Sequence, residues 1–424
     1  MLNILDATLV DVTRGIILEN FHPHYGELRD AFCANPLWQR LGELGTKLWL
    51  DTGDIDATQK LWNQSFSALT TNNTLLNKEV QRGTYDELIA RSAHALREHF
   101  GRLGDDELVK EIAFILNAYH ALRLVERFDA QVSVELHTDL ANDSSASVAY
   151  GRRYFQICPE RFIIKVPLTP EGLVAAARLG QEGVPVNFTL GFSARQNLMI
   201  TLLSRPKYCN VFLGRLNQVA ADNQLSDGQW IGERAVAASQ AVVAHLRRHK
   251  HVETLQIAAS LRSGSQVAAL AGVDVMTIPP KSAQEFQDSG QSPPELRRGI
   301  EDIFRPTFNT GISPGAYAFD TLWEVAAGLS HAIEHVSQRD AASLTGMDIQ
   351  EMVADAGYSD LLPFWSDQDV RRVSQDGKIP KLALWRDRLA TGEIGLDALM
   401  TLSALQSFAA DQQAMDDRIR EHIS

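Results

Sequence analysis

The sequence predicts an α/β chain folded as a (β/α)8 TIM barrel, with an N-terminal extension and a helical C-terminal extension. Three observations predict it. Eight short apolar runs alternate with longer amphipathic segments from about residue 46 to residue 281. Polar residues recur at the C-terminal ends of those runs, which is where barrels collect their chemistry. No GxGxxG follows the first run, which weakens the competing doubly wound dinucleotide-binding sheet.

The predicted strands are KLWLDTGD (47–54), SALTTN (67–72), AQVSVEL (130–136), RFIIKVP (161–167), VPVNFTLGF (184–192), YCNVFLGRL (208–216), ETLQIAASLR (253–262) and VDVMTIPP (273–280). Segments such as GLVAAARLGQEG (172–183) and GSQVAALAGV (264–273) lie between them with helical spacing. Residues 1–45 form an extension that closes or braces the barrel, and 46–300 form the barrel itself. Residues 301–424 form the helical extension, with TLWEVAAGLSHAIEHVSQ (321–338) and LQSFAADQQAMDDRIREHI (405–423) as its clearest helices.

Composition narrows the function classes. Hydrophobic content of 45% against 22% charged residues marks a folded globular chain. A net charge of −13 argues against nucleic-acid and anionic-membrane partners, while a few arginines can still make a local anion site. The N-terminus lacks a basic n-region, and no run is long enough to span a membrane. Three cysteines without CxxC spacing suit a reducing cytoplasm and argue against a cysteine-based zinc site. HPH at 22–24 has no carboxylate cluster nearby, so no metal is expected. Neither a GxSxG elbow nor a P-loop occurs.

Side chains two apart on a strand point the same way, and this sorts the candidates. Ile163 and Lys165 share a face, as do Ser133 and Glu135, Asn187 and Thr189, and Trp49 and Asp51. The second strand ends in Thr70 and Asn72, the seventh in Ser260 and Arg262. Lys165 is the sharpest signal, because an ammonium in the apolar strand FIIKVP is costly unless it is paired or loses its proton. Such burial lowers a lysine pKa by as much as about 3–5, leaving an amine able to attack a ketone. The iminium then acts as an electron sink for C–C cleavage. A purely structural alternative pairs Lys165 with Glu135 or Asp51. In the chemical reading, one of these carboxylates moves protons during imine formation and hydrolysis. The other takes the proton of the hydroxyl whose C–C bond breaks.

Arg215 and Arg262, past the sixth and seventh strands, make a phosphate clamp, with surface ion pairing as the alternative. Ser263, Gly264 and Ser265 open the following helix and can add amide donors. His137 reads as a loop or packing residue, and the tryptophans mostly as core.

The segments LDTGD (50–54), TTN (70–72), VSVEL (132–136), IIKVP (163–167), EGLVAAARLGQEG (171–183), VNFTLGFS (186–193), FLGR (212–215), AASLRS (258–263) and SFAADQ (407–412) resemble those of transaldolases. The resemblance implies a Schiff-base enzyme of the pentose phosphate pathway. It would move a dihydroxyacetone unit between sugar phosphates without cofactor or metal. It casts Lys165 as the Schiff-base lysine and Asp51 as the proton acceptor in C–C cleavage. Glu135 becomes an acid/base working through a water also held by Thr189. Asn72 and Asn187 bind donor hydroxyls, with Thr70 beside them, while Arg215 and Arg262 bind phosphate with Ser260 nearby. Phe212 matches a pocket aromatic.

Two departures stand out. Asn73 occupies the place of a proline in the family's TTNP, and Asn210 stands where many members have serine. The segment 217–235 is long enough to form a lid, and the tails leave room for a homo-oligomer. A class I fructose-6-phosphate-type aldolase and a non-catalytic sugar-phosphate-binding barrel are the alternatives.

Overall fold

A computed structural model describes residues 4–23, 25–26, 32–101 and 103–423. His24 of the HPH triplet lies outside them, as do residues 1–3 and 27–31 of the predicted N-terminal extension.

Eight parallel strands close into a barrel in sequence order: β1 (Lys47–Asp51), β2 (Phe66–Thr70), β3 (Gln131–Glu135), β4 (Phe162–Pro167), β5 (Val186–Thr189), β6 (Tyr208–Phe212), β7 (Leu255–Ala259) and β8 (Val275–Ile278). β8 pairs back onto β1 and leaves no edge. All eight predicted runs contain strands, most of them ending before the predicted bound, and the run 208–216 passes into a helix at Leu213; two end for a plain backbone reason. Leu190 (φ 68°) ends β5 and Ser260 (φ 66°) ends β7, each in the left-handed region that breaks an extended chain. Ser260 and Arg262 therefore sit in the turn after β7. Strand alternation does not place them.

The interior is layered by the parity the sequence predicts. Trp49 on β1 meets Tyr208 on β6 edge-on at 4.7 Å, filling the barrel below the mouth. In the parallel register, Glu135 lies beside Lys165 and Lys165 beside Asn187. Three side chains from three strands therefore converge one step above the apolar filling.

The extensions are part of the fold. The helix Pro36–Glu43 buries Trp38 against Phe66 and Phe286 near the N-terminal rim of the barrel. The helix Ala7–Leu18 is tied in from the side, where Thr13 accepts a bond from buried Arg153, itself paired with Glu111. After β8 the helix Pro280–Gln287 completes the barrel. The C-terminal extension then climbs to the mouth and ends in the helix Leu396–Ile423.

That last helix is fastened by buried polar chemistry. Asp397 at its start takes two bonds from Arg195 (2.7 and 2.8 Å) and one from Ser193 (2.6 Å). Thr401 receives a bond from Gln196 and donates to the Leu190 carbonyl. Gly395 lets the guanidinium approach, since a Cβ there would fall 1.9 Å from Arg195 Nη2.

Candidate active site

A cavity of about 180 Å³ opens at the C-terminal ends of the strands. Asp51, Thr70, Asn72, Lys165, Asn187, Asn210, Phe212, Arg215, Ser260 and Arg262 all line it, so most of the predicted site converges. Glu135 and Thr189 stand one layer back: Glu135 reaches the cavity through Lys165, and Thr189 lies behind Asn210.

Lys165 is 2% exposed. Its Nζ lies 3.4 Å from Glu135 Oε1 and 3.4 Å from the Thr71 carbonyl, and 5.7 Å from the Phe408 ring. Both polar contacts are long for a charge-assisted bond, so the amine is oriented without being locked. Burial pushes the Glu135 carboxyl upward, against the pull of Lys165 and of the Asn73 amide. Asp51 is pushed up to about 6 by desolvation, opposed by the charges of Lys165 and Arg262.

Amides and hydroxyls form the wall. Asn187 donates through Nδ2 to Ser133 Oγ (2.9 Å), and its buried Oδ1 has no hydrogen-bond partner among the described residues. A buried acceptor left open costs free energy until a ligand hydroxyl or a water fills it. Asn210 is used at both ends: it donates to Thr189 Oγ1 (3.2 Å) and accepts from the Gly191 amide (3.3 Å). Asn72 caps the helix Asn73–Gln81 through its Oδ1, which leaves its Nδ2 as the donor for the cavity.

Arg215 is 8% exposed, and its hydrogen bonds among the described residues are two long ones, to the Lys378 carbonyl and Ser407 Oγ, both at 3.4 Å. Desolvation, with the nearby Arg262, pushes it down to about 10, against Asp411. Arg262 is exposed and also forms no ion pair among the described residues. Gly214 of FLGR brings the two arginines together. A Cβ there would fall 2.1 Å from the Ser260 carbonyl and 2.9 Å from Arg262 Nε. Two guanidiniums without ion pairs at one pocket end are the chemistry that could hold an anion. The alternative of surface ion pairing is not seen for either arginine among the described residues. Nor does the amide of Gly264 face a ligand, since it donates to Glu285.

Several wall residues escaped the sequence reading. Thr277 on β8 donates to Thr70 Oγ1 (2.8 Å) and shares the inward parity that would have found it. Phe408 lies within the quoted SFAADQ, yet only the fold shows it roofing the cavity beside Phe212 and over Arg215. Lys378 and Ile379 also line the mouth from the C-terminal extension, with no local signal to mark them. Of the predicted 217–235 lid, Gln218 alone reaches the cavity, the rest of the roof coming from the C-terminal extension. His137 sits in the loop after β3 and bonds through Nε2 to the Asp416 carboxylate at 3.2 Å.

The family model described as Transaldolase/Fructose-6-phosphate aldolase matches residues 48–335. The chain is 31% identical over 296 residues to a protein named transaldolase from Xanthomonas euvesicatoria, covering 66% of this chain and 87% of that one. It is 26% identical over 324 residues to the transaldolase of Prochlorococcus marinus, covering 72% and 95% of the two chains. A third, from Trichormus variabilis, is 26% identical over 334 residues, covering 74% of this chain and 98% of the relative. The chain belongs to the transaldolase/fructose-6-phosphate aldolase family.

Proposed function

We propose that the chain is a transaldolase acting through a Schiff base on Lys165. The observation that carries this reading is a buried lysine, flanked by Glu135 and Asn187, in the same narrow cavity as two unpaired arginines. The lysine would attack the ketone of sedoheptulose 7-phosphate or fructose 6-phosphate while Arg215 and Arg262 hold the phosphate. Loss of water from the carbinolamine leaves an iminium, with Glu135 moving protons through a water. Asp51 takes the proton of the C4 hydroxyl, the C3–C4 bond breaks, its electron pair passes into the iminium to give an enamine, and the fragment from C4 onward leaves as the first aldose phosphate. An aldose phosphate such as glyceraldehyde 3-phosphate or erythrose 4-phosphate then accepts that pair at its aldehyde carbon. Asp51 returns the proton to the new alkoxide, and hydrolysis frees the lysine.

This chemistry fits the pentose phosphate pathway and a cytoplasmic setting. The lysine itself serves as electron sink, so the cycle asks for no cofactor.

Borohydride added with fructose 6-phosphate should reduce the iminium and leave a three-carbon adduct on Lys165. An unmodified protein, or labelling that survives Lys165→Ala, would sink the mechanism. A fructose-6-phosphate-type aldolase is the second reading, since the family description names both activities. The roof of Phe408 and Ile379 favours transfer, because it shields an enamine awaiting its acceptor. Appreciable turnover of donor without acceptor would reverse that preference.

A further inference from the structure

We propose that Asn73 is a positioning residue for Glu135, its main-chain N–H fixing one carboxylate oxygen so that the other faces Lys165. Its amide donates to Glu135 Oε2 at 3.1 Å, while Glu135 Oε1 lies 3.4 Å from Lys165 Nζ. The two oxygens are thereby given separate tasks, one held and one presented.

The local structure explains why this amide is available. Asn72 caps the helix Asn73–Gln81, and Asn73 is its first helical residue. The first amides of a helix have no partner within it and carry its positive end, so a carboxylate is well placed there. The side chain locks the arrangement: Asn73 is 1% exposed and donates through Nδ2 to the Leu136 carbonyl at 3.3 Å. Just before it, Thr71 docks on β3 through its amide and hydroxyl, both bonded to the Ser133 carbonyl. The Thr71 carbonyl in turn faces Lys165. On the other side of β3, Asn117 donates to the Glu135 carbonyl at 2.8 Å. Residues 71–73 thus clamp both members of the Lys165–Glu135 pair from one short loop. The charged groups facing Glu135 are Lys165 on β4 and, through its charge across the cavity, Asp51 on β1.

The inference rests on the proposed acid/base role of Glu135, but its test does not depend on turnover. Infrared difference spectra can follow the protonation of Glu135 through the carboxyl band that Glu135→Gln removes. Asn73→Pro deletes the N–H at a first helical position, which proline suits, whereas Asn73→Ala keeps it. Losing a donor to the charged form should make the band titrate about 1–2 pH units higher in Asn73→Pro. Asn73→Ala should titrate with the wild type. The same midpoint in all three proteins overturns the proposal, as does an equal rise in both variants. Should Asn73→Pro fail to fold, an ester-for-amide replacement at residue 73 removes the same N–H without the ring. Borohydride trapping separates the two readings. A shifted band in Asn73→Pro with no adduct in the wild type would refute the Schiff base and leave the role of Asn73 standing.

Discussion

Two arginines at the mouth of the barrel are buried almost equally, Arg195 at 6% and Arg215 at 8%, and their surroundings are opposite. Arg195 makes a bidentate pair with Asp397 and a third bond to Asp360 at 2.5 Å. Burial alone would lower it, but the two aspartates outweigh that and hold it above the usual arginine range. Arg215 forms no ion pair among the described residues, with Asp411 acting on it only through space, a second guanidinium nearby and an aromatic ring at 5.5 Å. A buried charge with its partners in the chain is mortar, and one without them waits for a ligand. Burial does not distinguish the two regions. Where the counter-charge comes from does.

The largest expected effect tests the structural half of that contrast. Arg195→Ala leaves Asp397 buried and unpaired and should cost about 3–5 kcal/mol in urea unfolding. Arg215→Met removes an uncompensated charge and should be neutral or stabilising by ~1–3 kcal/mol. Equal losses for the two variants would break the comparison.

A smaller effect tests the ligand half. Arg262→Ala should lower kcat/KM for phosphorylated substrates by about 10–100-fold, the value of a charge-assisted bond. Unphosphorylated analogues should be nearly unaffected, and an equal loss for both would make Arg262 structural.

The smallest effect joins the two ends of the cavity. Asp51 can accept a proton only as the anion, and its pKa is raised to about 6. Activity should therefore fall along an acid limb as the pH drops through about 6, and Asp51→Asn, which lacks the proton acceptor, should keep little activity at any pH. Because the charge of Arg262 lowers the pKa of Asp51, Arg262→Ala should move that limb to higher pH. A fixed limb would mean that the two groups do not sense each other.

Much of the fold and site was legible in the sequence. The eight apolar runs contain the eight strands, and the parity of Ile163 with Lys165 and of Ser133 with Glu135 puts Lys165 and Glu135 inside. Thr277 was equally legible by the same parity. Ser260 and Arg262 were assigned to the right place for an incomplete reason, since a positive φ at Ser260 turns the chain there. The substitution of Asn73 for proline was visible as a departure. Its bond to Glu135 was not, because that bond joins residues 62 apart in the chain.

By itself the sequence determined the barrel, its strand order and the inward set of polar residues. A two-residue alternation is imposed by the backbone and needs no long-range information. Only the tertiary structure decided which arginine is paired, how Phe408 roofs the cavity and which amide holds Glu135. Those outcomes depend on contacts such as Arg195 with Asp397, 202 residues apart, or Arg215 with Ser407, 192 apart. No local pattern encodes them, because the arginine pairing and the roof exist only once the C-terminal helix lies across the mouth of the barrel, and the Asn73–Glu135 bond only once β2 and β3 lie side by side.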